Sequence, residues 1–347
     1  MPEMLSRDVF KACLAGEPIP AVPAWRFWFD GQYWDAHGDE IAKMQQRWRD
    51  DFARFDCRHT VRAIPRDDLP EGKFLDGWGA IFIESPDGVG SHPAEPIITS
   101  VDDWHRYVDT EMPIVESGKY AAGVAAKRQA HPDKYVVGNV WRTFYERMFM
   151  LMGYEELMIE IATEGELFMA MLGALKDFTI QCINEVADAG ADAVYLADDW
   201  GTQHRLMISP AHFAQYFKPA SADMIDTAHS RGLDVWFHSC GQIMEALPHW
   251  IDIKLDVMSN LQTLALDLPE VARRFRGQMT FMGGIDVQYN IVHGSRETVR
   301  TEIRELFEMF DAANGRYMAS PCNSIMPETP IENVWAMMEA IEEFGTF

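Results

Sequence analysis

The sequence predicts an α/β protein: a (β/α)8, or TIM, barrel with an N-terminal helical extension and a hairpin insertion after the second strand. Three observations carry that expectation. Short apolar runs alternate with amphipathic helical stretches over most of the chain, which implies a parallel sheet covered by helices. Eight such runs fit within the 347 residues, as a barrel needs. The last five runs each end in unusual polar residues, and barrels of this kind place their chemistry at the C-terminal strand ends.

Residues 1–16 carry a helical pattern that Pro18 and Pro20 break. Residues 21–29 (AVPAWRFWF) read as the first strand, running into an aromatic cluster with Tyr33 and Trp34. A charged amphipathic helix is expected at 39–53 and a second strand at 55–61. From 64 to 99 Gly, Pro and Asp become frequent, and we read an insertion with short strands near 79–84 and 94–98. Helices follow at 101–110 and 113–130. Strands are then expected at 135–140, 192–197, 233–238, 255–260, 279–284 and 315–320. The helices around them are expected at 144–161, 164–189, 210–231, 241–250, 268–275, 295–312 and 330–344. The whole chain, 1–347, reads as one barrel domain. A doubly wound sheet is the alternative, but no G-x-G-x-x-G follows any strand.

The formal net charge of -24 and a pI near 4.7 argue against a nucleic-acid partner, which needs a basic face. No basic-then-apolar signal opens the chain, and no apolar run reaches the roughly 18 residues of a membrane span. A cytoplasmic location with no membrane partner is expected. The five cysteines are widely spaced and do not suggest a disulfide framework. Cys13, Cys57 and Cys182 read as small core residues. Cys240 and Cys322 differ, because each ends a strand pattern.

The strand at 233–238 ends in His238-Ser239-Cys240-Gly241. Alternate strand residues share a side, so His238 and Cys240 can present an imidazole and a thiolate to one point. The last strand delivers Cys322, followed by Asn323, to the same rim. His238, Cys240 and Cys322 would make a three-ligand site with one position open, the pattern of catalytic rather than structural zinc. The alternative is two unrelated thiols near a histidine in a polar pocket. Asp198 and Asp199 are candidates for acid/base or orienting roles, one of them facing the pocket (Asp199 preferred) and the other capping a helix or pairing with an arginine. Asp286, after Gly283-Gly284, either orients a ligand, backs the imidazole, or serves a turn. Asn139, Arg142, Tyr145, Trp200 and Asn260 are candidates for cofactor contacts near the same cavity. The aromatic residues around Trp25 and Trp28 line an apolar ligand site or plug the barrel.

These residues resemble a known group, the uroporphyrinogen decarboxylase-like superfamily. The similarity runs through Asp198-Asp199-Trp200-Gly201-Thr202-Gln203, the His238–Gly241 stretch, Gly283-Gly284-Ile285-Asp286 and Pro327-Glu328-Thr329-Pro330. The resemblance implies a (β/α)8 barrel. Its decarboxylase branch carries an arginine-rich segment after the first strand, whereas residues 25–33 hold one arginine and many aromatics. Its zinc-dependent, corrinoid-linked methyltransferase branch carries His-x-Cys and a distant Cys, which His238, Cys240 and Cys322 match. That branch implies Zn²⁺, a cobalamin held by a separate corrinoid protein, and a small methyl donor or acceptor, a methoxylated aromatic or a thiol. A metal-free tetrapyrrole decarboxylase is the alternative enzyme, and a non-catalytic zinc- or corrinoid-binding module the alternative of another class. A homodimer is compatible with the sequence.

Overall fold

A computed structural model describes residues 5–62, 69–85 and 90–347. The first residues of the expected opening helix, and the parts of the insertion at 64–68 and 86–89, lie outside the described residues.

The strands, in chain order, are β1 (Phe52–Asp56), the short β2 (Lys73–Leu75), β3 (Ile81–Glu84) and β4 (Ser91–Glu95), then β5 (Tyr135–Val140), β6 (Ala193–Ala197), β7 (Asp234–His238), β8 (Val257–Leu261), β9 (Thr280–Ile285) and β10 (Tyr317–Pro321). β1 and β5 to β10 form one parallel sheet in chain order, with helices returning between strands. Every residue of β6, β8, β9 and β10 is buried, as expected of a parallel sheet covered on both faces. β2, β3 and β4 form the inserted antiparallel sheet, one strand more than the expected hairpin.

The expected first strand at 21–29 is not regular. Pro20 and Pro23 cannot donate to a ladder, and isolated bridges remain: parallel ones from Ala24 to Ala319 and Phe29 to Ile325, and an antiparallel one from Ala21 to Thr346. The segment nevertheless lies between the two edges of the sheet. On one side Trp25 N–H donates to Ala319 at 2.9 Å, and Ala319 N–H donates to Pro23 at 2.8 Å. On the other side carboxylates replace the ladder. Asp50 accepts the N–H groups of Arg26 (2.6 Å) and Phe27 (3.0 Å), while Asp51 accepts Ala24 N–H (3.0 Å) and the Arg26 guanidinium (2.6 Å).

Other boundaries moved for local reasons. The helix expected at 39–53 is Gly31–Arg47, capped by Asp30, and the Phe52-Ala53-Arg54-Phe55 alternation starts β1 early. The helix expected at 144–161 splits into Tyr145–Met152 and Tyr154–Thr163, because Gly153 adopts φ 91°. Turns occupy most of the helix expected at 241–250, leaving Leu247–Asp252.

Two-residue periodicity sorts the side chains. Tyr135, Val137, Ala193, Tyr195, Trp236, Val257, Met282 and Met318 belong to one buried cluster inside the sheet's curve. The helix Arg7–Ala15 adds Phe10 and Cys13 to it, and Phe10 stacks on Tyr135 at 4.9 Å. Cys57 and Cys182 are buried in the second cluster, between sheet and helices. His238 and Ser259 stand two residues beyond Trp236 and Val257 on their strands, so they point inward one layer nearer the C-terminal rim.

The carboxylate-sewn edge gives a test. Arg26 is 8% exposed, so Asp51→Ala leaves a buried guanidinium without its counter-charge and the N–H groups of Ala24 and Leu5 without their acceptor. The variant is expected to lose about 3–5 kcal/mol of unfolding free energy in urea titration. A loss below about 1 kcal/mol would show that the edge does not depend on this carboxylate.

Candidate metal centre

Three donor atoms meet at the rim. The ligand atoms of Asp199, His238 and Cys240 all lie within 4.8 Å of one another. His238 Nε2 is 3.4 Å from Cys240 Sγ and 3.2 Å from Asp199 Oδ1. Asp199 Oδ1 also accepts the Cys240 N–H at 2.8 Å, which ties the loops after β6 and β7 together. Asn323 donates its amide to Cys240 Sγ at 3.5 Å.

The other imidazole nitrogen is committed. His238 Nδ1 lies 3.3 Å from the Tyr195 hydroxyl, which lies 2.9 Å from Ser259 Oγ, which donates to Asn260 Oδ1 at 2.8 Å. The polarity of this chain follows from its last member. An amide oxygen only accepts, so Ser259 spends its proton there, Tyr195 donates to Ser259, and Nδ1 must donate to Tyr195. Nε2 is therefore the variable nitrogen, and it faces the thiol and the carboxylate.

Backbone devices set this geometry. Asn260 sits at φ 68°, a conformation Asn tolerates, in a register irregularity between β8 and β9. Opposite it, a Cβ on Gly283 would stand 2.7 Å from Leu261 N, so the position excludes any side chain. Gly283-Gly284 thus lies inside β9, not in a turn after it. At the Cys240 loop, Gly241 has φ 81°, and a Cβ there would meet the Gly201 carbonyl at 2.2 Å.

The two adjacent carboxylates divide. Asp198 is fully buried and accepts from the Thr143 hydroxyl and from Phe144 (2.9 Å), Tyr145 (3.1 Å) and Glu146 (2.9 Å) N–H groups, capping the Tyr145–Met152 helix. Burial pushes its pKa up against the pull of those donors. For Asp199 burial also raises the pKa, but the His238 hydrogen bond and charge outweigh it and hold the carboxylate below its ordinary range. Asp286 is engaged by its own turn: it accepts N–H groups of Gln288 (2.8 Å), Tyr289 (3.3 Å) and Asn290 (3.0 Å), not the imidazole.

Among the other candidates, Tyr145 and Trp200 are fully buried and stack on each other at 4.5 Å, so they are wall rather than ligand contacts. Asn260 is buried behind the imidazole. Asn139 and Arg142 line a cavity beside the centre. Cys322 is 1% exposed and stands outside the group of three. Burial pushes its thiol up to about 12, against backbone hydrogen bonds from Val287 and Thr263. The aromatic cluster splits: Trp28 lies 6.1 Å from His238 between ring centroids, whereas Tyr33 is core; Trp141, from outside that cluster, lies 5.0 Å from His238.

The sequence reading missed Tyr195, Ser259, Glu146 and Trp141. Strand periodicity carried a signal for the first two, since both share an inward face with residues of the inner cluster. Glu146 gave none: it lies in a helix, yet its carboxylate accepts Asp199 N–H at 3.2 Å. Burial, and then the charges of Asp199 and Asp198, raise its pKa.

The donor set fits a zinc ion. An imidazole, a thiol and a carboxylate are all zinc ligands, and here their ligand atoms converge within 4.8 Å of one another.

The uroporphyrinogen decarboxylase (URO-D) family profile matches residues 81–344. The chain belongs to that family. The uroporphyrinogen decarboxylase of Coxiella burnetii is 25% identical over 381 positions, spanning 98% of this chain and 96% of that protein. The one from Bordetella petrii is 24% identical over 374 positions, spanning 99% and 97%. A methyltransferase from Methanosarcina mazei has the same fold, with a TM-score of 0.68 at 17% identity, covering 96% of this chain and 97% of that one. Among the described residues, no helix is long and apolar enough to cross a membrane.

A cavity of about 590 Å³ lies away from this centre, between the helices Leu268–Phe275 and Arg296–Phe310. In its wall Glu302 accepts Asp286 N–H at 3.0 Å, and burial pushes its pKa up to about 8. A carboxyl protonated in the fold but not in the unfolded chain binds the extra proton in the native state. Stability therefore falls as pH rises from about 4.5 through about 8. Glu302→Gln keeps the acceptor and removes the titration. Urea titrations at pH 5 and pH 8 are expected to differ less in the variant by more than about 1 kcal/mol; an unchanged difference would assign the pH dependence elsewhere.

Proposed function

We propose that the chain is a zinc-dependent methyltransferase that moves a methyl group between a small donor or acceptor and the cobalamin of a separate corrinoid protein. The observation that carries this reading is His238 Nε2, turned by the Tyr195–Ser259–Asn260 chain towards a thiol and a carboxylate.

His238 and Cys240 would hold the ion, with Cys322 as second thiolate and Asp199 as the oxygen donor already beside the pair. Bound zinc would act as a Lewis acid, lowering the pKa of a thiol or polarising an ether oxygen. The protein's own groups do the rest. Tyr195 fixes the imidazole tautomer and ring orientation. Glu146, whose pKa burial and the charges of Asp199 and Asp198 raise to about 7, can take up or release a proton one contact from the centre. Trp28 and Trp141 supply flat apolar faces near His238, which suits an aryl methyl ether better than a small thiol. Exposed Leu264 and Tyr289 follow β8 and β9 and offer a partner apolar contacts near the mouth.

Tetrapyrrole decarboxylation is the second reading, supported by the names of the relatives. One observation counts against it. Arg26, the only arginine of the first segment, is tied to Asp51 and to the Arg49 carbonyl and is not free for substrate carboxylates.

Metal analysis of purified protein is expected to find one zinc per chain. His238→Ala, Cys240→Ser and Cys322→Ser are expected to lose it, and Tyr195→Phe to weaken its binding roughly 10–100-fold. Methyl transfer from an aryl methyl ether to cob(I)alamin should fall with zinc content. Absence of zinc, or full activity in Cys322→Ser, overturns the reading; chelator-insensitive turnover of uroporphyrinogen establishes the other.

A further inference from the structure

Beside the centre is a cavity of about 490 Å³, within the size range of small-molecule sites. Trp141 joins the two: it lines the cavity, is 40% exposed, and its ring lies 5.0 Å from that of His238. The chain carries a net charge of -24, yet Arg58, Arg142 and Arg147 all line this one cavity. Arg147 is paired with Asp76 at 2.5 Å. Arg142 meets Glu146 only at 3.6 Å, beyond hydrogen-bonding distance, and Arg58 forms no ion pair among the described residues.

The same wall holds buried N–H groups with no acceptor. Arg142 Nε and Arg147 Nε are two of them. His59 supplies a third. Trp78 Nε1 can only donate, and it donates to His59 Nε2 at 3.0 Å, so the ring hydrogen sits on Nδ1, which is buried and unpartnered. Burial, followed by the Arg147 charge, lowers the His59 pKa to about 4, so the ring is neutral. The wall also holds the Asp56 carboxylate, which accepts from Asn139 Nδ2 at 3.0 Å, and Asn139 Oδ1 without a donor; against these stand three donors without acceptors and two arginines not fully neutralised, a balance that favours an oxyanion. Arg142 is also held at φ 60°, outside the usual range for a side-chain-bearing residue.

We propose that this cavity is an anion subsite that binds the carboxylate of an aromatic substrate, with Arg142, Arg58 and His59 on the carboxylate and the Trp141 ring against the substrate ring. The arrangement leaves the far end of such a molecule directed along Trp141 towards His238. The inference deepens the methyltransferase reading by naming the substrate class, an aromatic acid, and rests on that reading for the chemistry at the far end.

The subsite can be tested without any methyl transfer. Benzoate has no methyl to give and needs neither zinc nor a corrinoid. Calorimetric titration of the full chain, before and after chelation, is expected to show saturable benzoate binding in both states. Benzamide, of the same shape without the charge, is expected to bind at least about tenfold more weakly, as loss of a charge-assisted contact requires. Acetate, without the ring, is expected to bind about tenfold more weakly as well. Arg142→Asn is the informative variant, because Asn accepts a left-handed backbone and the fold should keep its melting temperature. It is expected to weaken benzoate about tenfold or more and to leave benzamide unchanged. Equal binding of benzoate and benzamide, equal binding of acetate and benzoate, or an Arg142→Asn variant that binds benzoate normally would each overturn the proposal. Benzoate binding with no zinc and no methyl transfer would keep the subsite and remove only the proposed function.

Discussion

A hydrogen-bond chain has a direction, and in this protein one short buried chain sets the orientation of everything around it. It ends on an oxygen that can only accept, so each hydroxyl along it has its proton assigned, and the His238 ring receives the consequence. Burial holds its members together, because a polar group that left the chain would lose its partner in a medium that penalises the loss. The protein thus fixes which imidazole nitrogen faces the mouth before any ligand arrives.

The barrel supplies the members of that chain from two adjacent layers: His238 and Ser259 share one, and Tyr195, whose register partner is Trp236, reaches up from the layer below. Ala197 pairs with His238, and His238 with Ser259, so strand register brings the inward positions of β6, β7 and β8 to similar height. Below that layer the interior is Tyr135, Trp236, Val257 and Met282, closed from beneath by Phe10. The rim is polar where the register ends and the bulge at Asn260 begins. Carboxylates do three separate jobs there: Asp198 caps a helix, Asp199 joins the donor group and Asp286 holds a turn.

Much of this was legible in the sequence because strand ends declare themselves. The periodicity located β5 to β10 within a few residues, and His-x-Cys pointed to one rim. Division of labour between Asp198 and Asp199 was not legible, since both are the same residue type and only the third dimension shows which one meets N–H groups of a helix. The first segment misled through its composition. Its apolar run suggests a strand, but Pro23 and the side chains of Asp50 and Asp51 make a seam that no strand pattern describes. Glu146 and His59 stayed invisible because a helix and a loop give no hint of what their side chains reach. The donor group adds an oxygen from Asp199, a residue whose place beside His238 depends on two loops meeting glycine to glycine.

The outer wall of the cavity beside Trp141 is not barrel at all. Asp76, Gly77 and Trp78 belong to the stretch between β2 and β3, in the inserted sheet. The cavity is therefore walled partly by loops after β1 and β5 and partly by a separately encoded insert, while Asp199, His238 and Cys240 come from the end of β7 and the loops after β6 and β7. An insert of this kind can change length or composition without moving the strands that carry His238 and Cys240, so the mouth can be reshaped while the donor geometry is kept.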